Sequence, residues 1–131
     1  MKHVKYFLYG IILSIAIASC TEAVAHEMLP TYPKMEASHI KDVYVTTMRM
    51  FNKRQEVEFY EIGVFDEDWK PIPFVTSYSV IKIEYLGRVE FDLYIRKSDV
   101  DKAEYICSKS KLRKQNEIVT AIASRICSRI K

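Results

Sequence analysis

Short runs of alternating apolar and polar residues, separated by turn signals, dominate this chain beyond residue 27. In "KDVYVTTMRMFN" (41–52), Val43, Val45, Thr47, Arg49 and Phe51 alternate with Tyr44, Thr46, Met48 and Met50. A period of two places the two sets on opposite faces of a strand. "EVEFYEIGVFD" (56–66) alternates in the same way, with Val57, Phe59, Glu61, Gly63 and Phe65 on one face. Asn52 to Gln55 reads as the turn between these runs, and "DEDWKPIP" (66–73) as a polar, proline-containing connection. "YSVIKIEYLG" (78–87) and "RVEFDLYIRK" (88–97) meet at Gly87, and "AEYICSKSKL" (103–112) and "EIVTAIASRICSRI" (117–130) complete the series. "MLPTYPKM" (28–35) carries Pro30 and Pro33, which restrict it to an edge or irregular strand. About seven such runs with no alternating helices predict an all-β antiparallel sandwich.

One motif makes the sandwich immunoglobulin-like. Asp101, Ala103, Tyr105 and Cys107 reproduce the Asp-x-Ala-x-Tyr-x-Cys pattern of strand F in immunoglobulin domains. There the Tyr, two residues before the Cys, hydrogen-bonds back to the backbone at the strand corner. No Cys lies in the second strand, so the usual bridge between the sheets has no partner, and Cys107 looks to Cys127.

The last run is ambiguous by periodicity. Ile118, Ile122, Ile126 and Ile130 recur every four residues. On a helix they form one stripe; on a strand they share a face with Thr120, Ser124 and Ser128. The β-branched content and the position of Cys127 favour a strand. Its Ile-x-Thr-x-Ile-x-Ser-x-Ile face either fills the protein's own core or is offered to another chain.

The N-terminus changes the picture. Lys2, His3 and Lys5 precede an apolar run from Phe7 to Ile17, the pattern of a secretory signal peptide. A membrane-spanning helix needs about 20 apolar residues, more than this run has. Two export signals overlap in "IASCTEAVAHE" (17–27). Ala23-Val24-Ala25 predicts cleavage after Ala25, giving a signal peptide over 1–25 and a single domain over 26–131. The alternative is a lipoprotein box ending at Cys20, with the chain lipid-anchored there. Either route implies a periplasmic or secreted protein that meets a membrane only through its signal peptide or a lipid anchor.

Removing Lys2, Lys5 and Glu22 from the 20 basic and 17 acidic residues leaves 18 and 16, a net charge of +2. That balance argues against a nucleic-acid footprint. Cys20 drops out of the pairing by either route, leaving Cys107 and Cys127 as an even pair in an oxidising compartment. A disulfide between them closes a loop of about 20 residues and stabilises by about 3 kcal/mol in the chain-entropy description.

Little in the sequence points to catalysis. The three glycines stand at 10, 63 and 87, so no phosphate-cradling loop is available. Beyond the leader the histidines are His26 and His39, and neither sits in a nucleophile motif. Asp66-Glu67-Asp68 reads as a solvated turn rather than a calcium loop, since no further ligands follow at the required spacing. A non-enzymatic protein without a cofactor is expected. Cleavage after Ala25 opens one remote alternative. An immunoglobulin-like sandwich that begins with His resembles copper-dependent polysaccharide monooxygenases and periplasmic copper carriers, which hold copper with that residue's amine and ring plus a second His. Here only His39 is available as the second ligand, with Tyr32 or Tyr44 as a weak third.

Taken in order, the runs resemble the N-terminal domain of periplasmic pilus chaperones, the PapD-like family. "MLPTYP" stands where that domain has its first strand. "DVYVTTMRMFNKRQEVEFYEIGVFDEDWKPIPF" matches its strand, Asn-containing turn, strand, Trp-containing loop and Pro-Phe order. "YSVIKIEYLGRVEFDLYIRK" resembles the following pair, "DKAEYICSKSKL" the strand F region, and "IVTAIASRICSRIK" the last strand. The resemblance covers most of 28–131. It implies a chaperone-like binding module whose last strand adds to a partner protein lacking a strand. The matching partner-binding residues are Ile118, Ile122, Ile126 and Ile130. Lys131 matches the Lys of a basic pair that anchors the partner's C-terminal carboxylate. Tyr32 stands in place of the first-strand Arg, with Lys34 nearby. Some members of the family bridge strands F and G, as Cys107 and Cys127 would. The family has two domains and this sequence implies one, which leaves a second expectation: an accessory or structural periplasmic or surface protein without strand donation.

Overall fold

The computed structural model describes residues 25–111 and 123–131. Residues 1–24, which hold Cys20 and all but the last residue of the expected signal peptide, and Ile118 and Ile122 lie outside the described residues. The strands are β1 (Glu27–Leu29), β2 (Glu36–Ala37), β3 (Val43–Phe51), β4 (Phe59–Phe65), β5 (Val75–Thr76), β6 (Val80–Lys82), β7 (Arg88–Arg96), β8 (Tyr105–Lys111) and β9 (Arg125–Arg129). A single helical turn, α1 (Lys97–Val100), follows β7.

Two antiparallel sheets form an immunoglobulin-like β-sandwich. One runs β1-β3-β7-β5, with β2 also paired to β3; the other runs β6-β4-β8-β9. Alternation explains the layers. Thr46, Met48 and Met50 of β3 and Phe91, Leu93 and Ile95 of β7 are buried, as are Tyr60, Ile62 and Val64 of β4 and Ile106 of β8. Thr47, Arg49, Glu90 and Asp92 take the opposite parity and face solvent. A one-residue slip in either long strand would exchange the two sets, so burial fixes the register.

The structure refines three sequence expectations. Nine strands form among the described residues, because the short β2 and β5 carry too few residues to show a pattern. The stretch 78–97, expected as neighbouring runs, divides between the sheets: β6 pairs with β4, and β7 with β3. The described part of the last run is a strand, β9, paired with β8 from Tyr105↔Arg129 to Lys109↔Arg125.

Candidate partner-binding edge

β9 forms one margin of its sheet. β8 lies on one side, and among the described residues no strand of the sheet lies on the other. Ile130 N donates to Glu104 O (2.8 Å), and Ser110 N donates to Ser124 O (2.9 Å). The even-numbered residues therefore bond to β8. Antiparallel alternation turns the N–H and C=O groups of Arg125, Cys127 and Arg129 away from it. Arg129 N donates to Thr31 O and Lys131 N to Pro33 O, both at 3.0 Å, so residues 31–33 cover the C-terminal end of the edge. Among the described residues the outward groups of Arg125 and Cys127 have no strand beside them.

The even residues point into the sandwich. Ile126 and Ile130 are half-buried and pack against the core, and Ser128 is buried. The described half of the isoleucine stripe thus contributes to the protein's own core. Lys131 is exposed, with Nζ 4.3 Å from the centre of the Tyr32 ring. Lys131, the one residue matched to the carboxylate anchor, thus lies as a cation over the face of Tyr32, which occupies the place of the unmatched first-strand Arg.

The odd residues point outward. Cys107 and Cys127 are a non-hydrogen-bonded pair, where facing strands approach most closely, and they form a disulfide with an S–S distance of 2.06 Å and Cα atoms 4.1 Å apart. This bridge lies within one sheet, on its outer face. The parity is opposite to that of the inter-sheet bridge of immunoglobulin domains, and this corrects the expectation for Tyr105. Two residues before Cys107, Tyr105 also faces outward. It stacks on Trp69, with ring centres 4.5 Å apart and planes at 4°, and among the described residues its hydroxyl makes no hydrogen bond to the strand corner. The Arg125 guanidinium lies 5.3 Å from the centre of Phe65. The Phe65 ring leans over Gly63, where an added Cβ would come within 2.8 Å of it. Lys109 stands directly opposite Arg125.

Beneath the upper end of β9 lies a buried polar network. His26 is 3 % exposed, and its Nε2 is 2.6 Å from Ser108 Oγ and its Nδ1 3.3 Å from Ser124 Oγ. Arg54 donates to Ser124 Oγ at 3.1 Å and to Glu56 Oε1 at 2.6 Å. Ser110 Oγ accepts from Ser124 N at 2.8 Å. Burial, and then the charge of Arg54, push the His26 imidazole down to about 4, so it is neutral at pH 7. Burial pushes the Tyr60 hydroxyl up to about 12. The Glu56 carboxyl is held below its ordinary value by its own backbone amide and by Arg54.

These positions correct the copper expectation. Both ring nitrogens of His26 face serine hydroxyls, and His26 adjoins Glu27, whose partner Phe51 ends β3. His39 lies by the other end of β3, lining a cavity with Val43 and Arg96. Those ends are eight residue steps apart, about 27 Å at roughly 3.4 Å per step. Among the described residues no three His, Cys, Asp or Glu side chains converge on a metal position. The His26–Ser108 contact also lacks the solvent access a nucleophile needs, since Ser108 is fully buried.

Sequence patterning missed this network and the Lys109–Arg125 pairing. One signal was present: Ser108 and Ser110 take the inward parity after Ile106, and buried hydroxyls demand hydrogen-bonding partners. Nothing local named His26 as that partner, because 82 residues separate it from Ser108.

No protein-family model matches this chain, and no curated protein matches it in sequence. The fold is similar to a solved structure, the crystal structure of the E. coli chaperone DraB, with a TM-score of 0.58 at 14 % identity. The match covers 81 % of this chain and 53 % of that one, so this chain spans about half the length of its structural neighbour. At this identity the likeness establishes the fold.

Proposed function

We propose that this domain is an exported, chaperone-like binding module that takes a partner protein's β-strand beside β9. The observation that carries the reading is the edge at Arg125 and Cys127, unpaired among the described residues, on the last strand of an immunoglobulin-like sandwich. An unpaired edge is a template for strand addition, in which main-chain hydrogen bonds supply affinity. The similarity to the chaperone DraB points the same way. In this reading Ile118 and Ile122, which precede β9 in the sequence, are the side chains offered to the partner, with Lys131 beside its terminus. The disulfide accords with an oxidising compartment, periplasmic or extracellular. The leader supplies export, by cleavage after Ala25 or by lipidation at Cys20.

The test exploits the direction of one N–H. Arg125→Pro removes an outward donor without removing a hydrogen bond to β8, and proline is tolerated at sheet edges. The variant and the parent protein are compared in pull-downs from a periplasmic extract, with folding checked by near-ultraviolet circular dichroism. Strand addition predicts a folded variant that no longer retains the partner. A folded variant that still retains it would sink the reading.

A second reading is favoured by the half-burial of Ile126 and Ile130. There the last strand completes the protein's own core, and the domain is an accessory or structural surface protein. Ile118→Asp with Ile122→Asp separates the two: this reading predicts no loss of any partner.

A further inference from the structure

Lys109 and Arg125 face each other across β8 and β9 at a non-hydrogen-bonded position, where side chains come closest. Both are exposed on the outer face. Like charges placed directly opposite one another are destabilising. The nearest compensation is insufficient. Glu61 stands opposite Lys109 on β4, yet its carboxylate is engaged by Lys111 at 2.9 Å. Lys109 has no ion-pair partner among the described residues. Arg125 has no ion-pair partner among the described residues and leans over the Phe65 ring. This surplus of positive charge lies on the residue whose backbone N–H and C=O face the open edge.

We propose, resting on the strand-addition reading above, that β9 selects a partner strand that is acidic on its outer face, with Asp or Glu beside Arg125. An added strand places a side chain directly across from Arg125 on the same face, whichever direction it runs. A carboxylate there relieves the repulsion between Lys109 and Arg125 as the backbone hydrogen bonds form. A cation there adds a third like charge. The charge pattern therefore sets which strands the edge accepts, while the backbone groups set only that a strand is accepted.

Two nine-residue peptides test this, one alternating valine with glutamate and the other valine with lysine. Binding to the full chain is read by fluorescence anisotropy at low and high salt. The glutamate peptide is expected to bind about five- to tenfold more tightly at low salt, with the difference shrinking at high salt. Arg125→Glu should reverse the preference. Arg96→Glu, the same charge change on the outer face of the other sheet, should leave it intact. Equal affinity for the two peptides overturns the proposal and leaves strand addition standing. An equal response to Arg96→Glu and Arg125→Glu also overturns it, because the attraction is then diffuse. If neither peptide binds, strand addition itself is overturned.

Discussion

Nε2 of His26 lies 2.6 Å from Oγ of Ser108 inside the sandwich, joining the start of the first strand to the middle of the eighth. The same ring reaches Ser124 with its other nitrogen, so one side chain fastens β1, β8 and the approach to β9. A neutral imidazole suits this position, since it offers one donor and one acceptor to two hydroxyls.

That position makes stability depend on pH. The imidazole titrates near 6.5 when unfolded and near 4 when folded. Between these values the unfolded chain binds more protons, so stability rises with pH. The contribution is fully present above pH 6.5 and is lost as pH falls toward 4, with a span of about 3 kcal/mol. Urea midpoints at pH 7 and pH 4.5 measure it. His26→Gln should flatten the difference; an unchanged difference would assign the titration to other groups.

Asn52 is buried and holds the turn between β3 and β4. Its Nδ2 donates to Val57 O (2.7 Å) and Ile83 O (2.8 Å), and its Oδ1 accepts from Arg54 N and the Tyr60 hydroxyl. Asn52→Leu leaves four polar groups without this partner. A loss of about 3 kcal/mol or more is expected, because each stranded buried group costs roughly 1–3 kcal/mol. Tyr60→Phe removes one of the four bonds and should cost about 1 kcal/mol. Denaturant unfolding of both variants orders the two effects.

The Cys107–Cys127 bridge spans 20 residues of sequence. Replacing both cysteines with serine should lower stability by about 2–4 kcal/mol, chiefly by enlarging the unfolded ensemble. Reductant should lower the melting temperature of the parent protein and leave that of the double variant unchanged.

Ile126 packs half-buried on the core. Ile126→Ala should cost about 1–2 kcal/mol, less than the roughly 2–5 kcal/mol of a fully buried site. A destabilisation above that range would show that the position is enclosed more completely than the edge geometry allows.

The legible part of the sequence was its parity. Period-two alternation divided 41–52 and 56–66 into two faces each, and burial of Met48, Met50, Tyr60 and Ile62 shows which face is dry. The pairing of Cys107 with Cys127 was also readable, from the count of cysteines in a chain whose N-terminus reads as an export signal. Parity alone could not say which strands are neighbours. Cys107 has the spacing of an inter-sheet cysteine, and only the placement of β9 beside β8 turned it outward and carried Tyr105 onto Trp69. Strand order likewise decided that Ile126 faces the protein's own core, that His26 meets Ser108, and that Lys109 confronts Arg125. Local sequence determines how each strand divides its faces, because that depends on the alternation of its own residues. Contacts between residues far apart in the chain depend on which edges meet when the sheets close, which is a property of the whole fold.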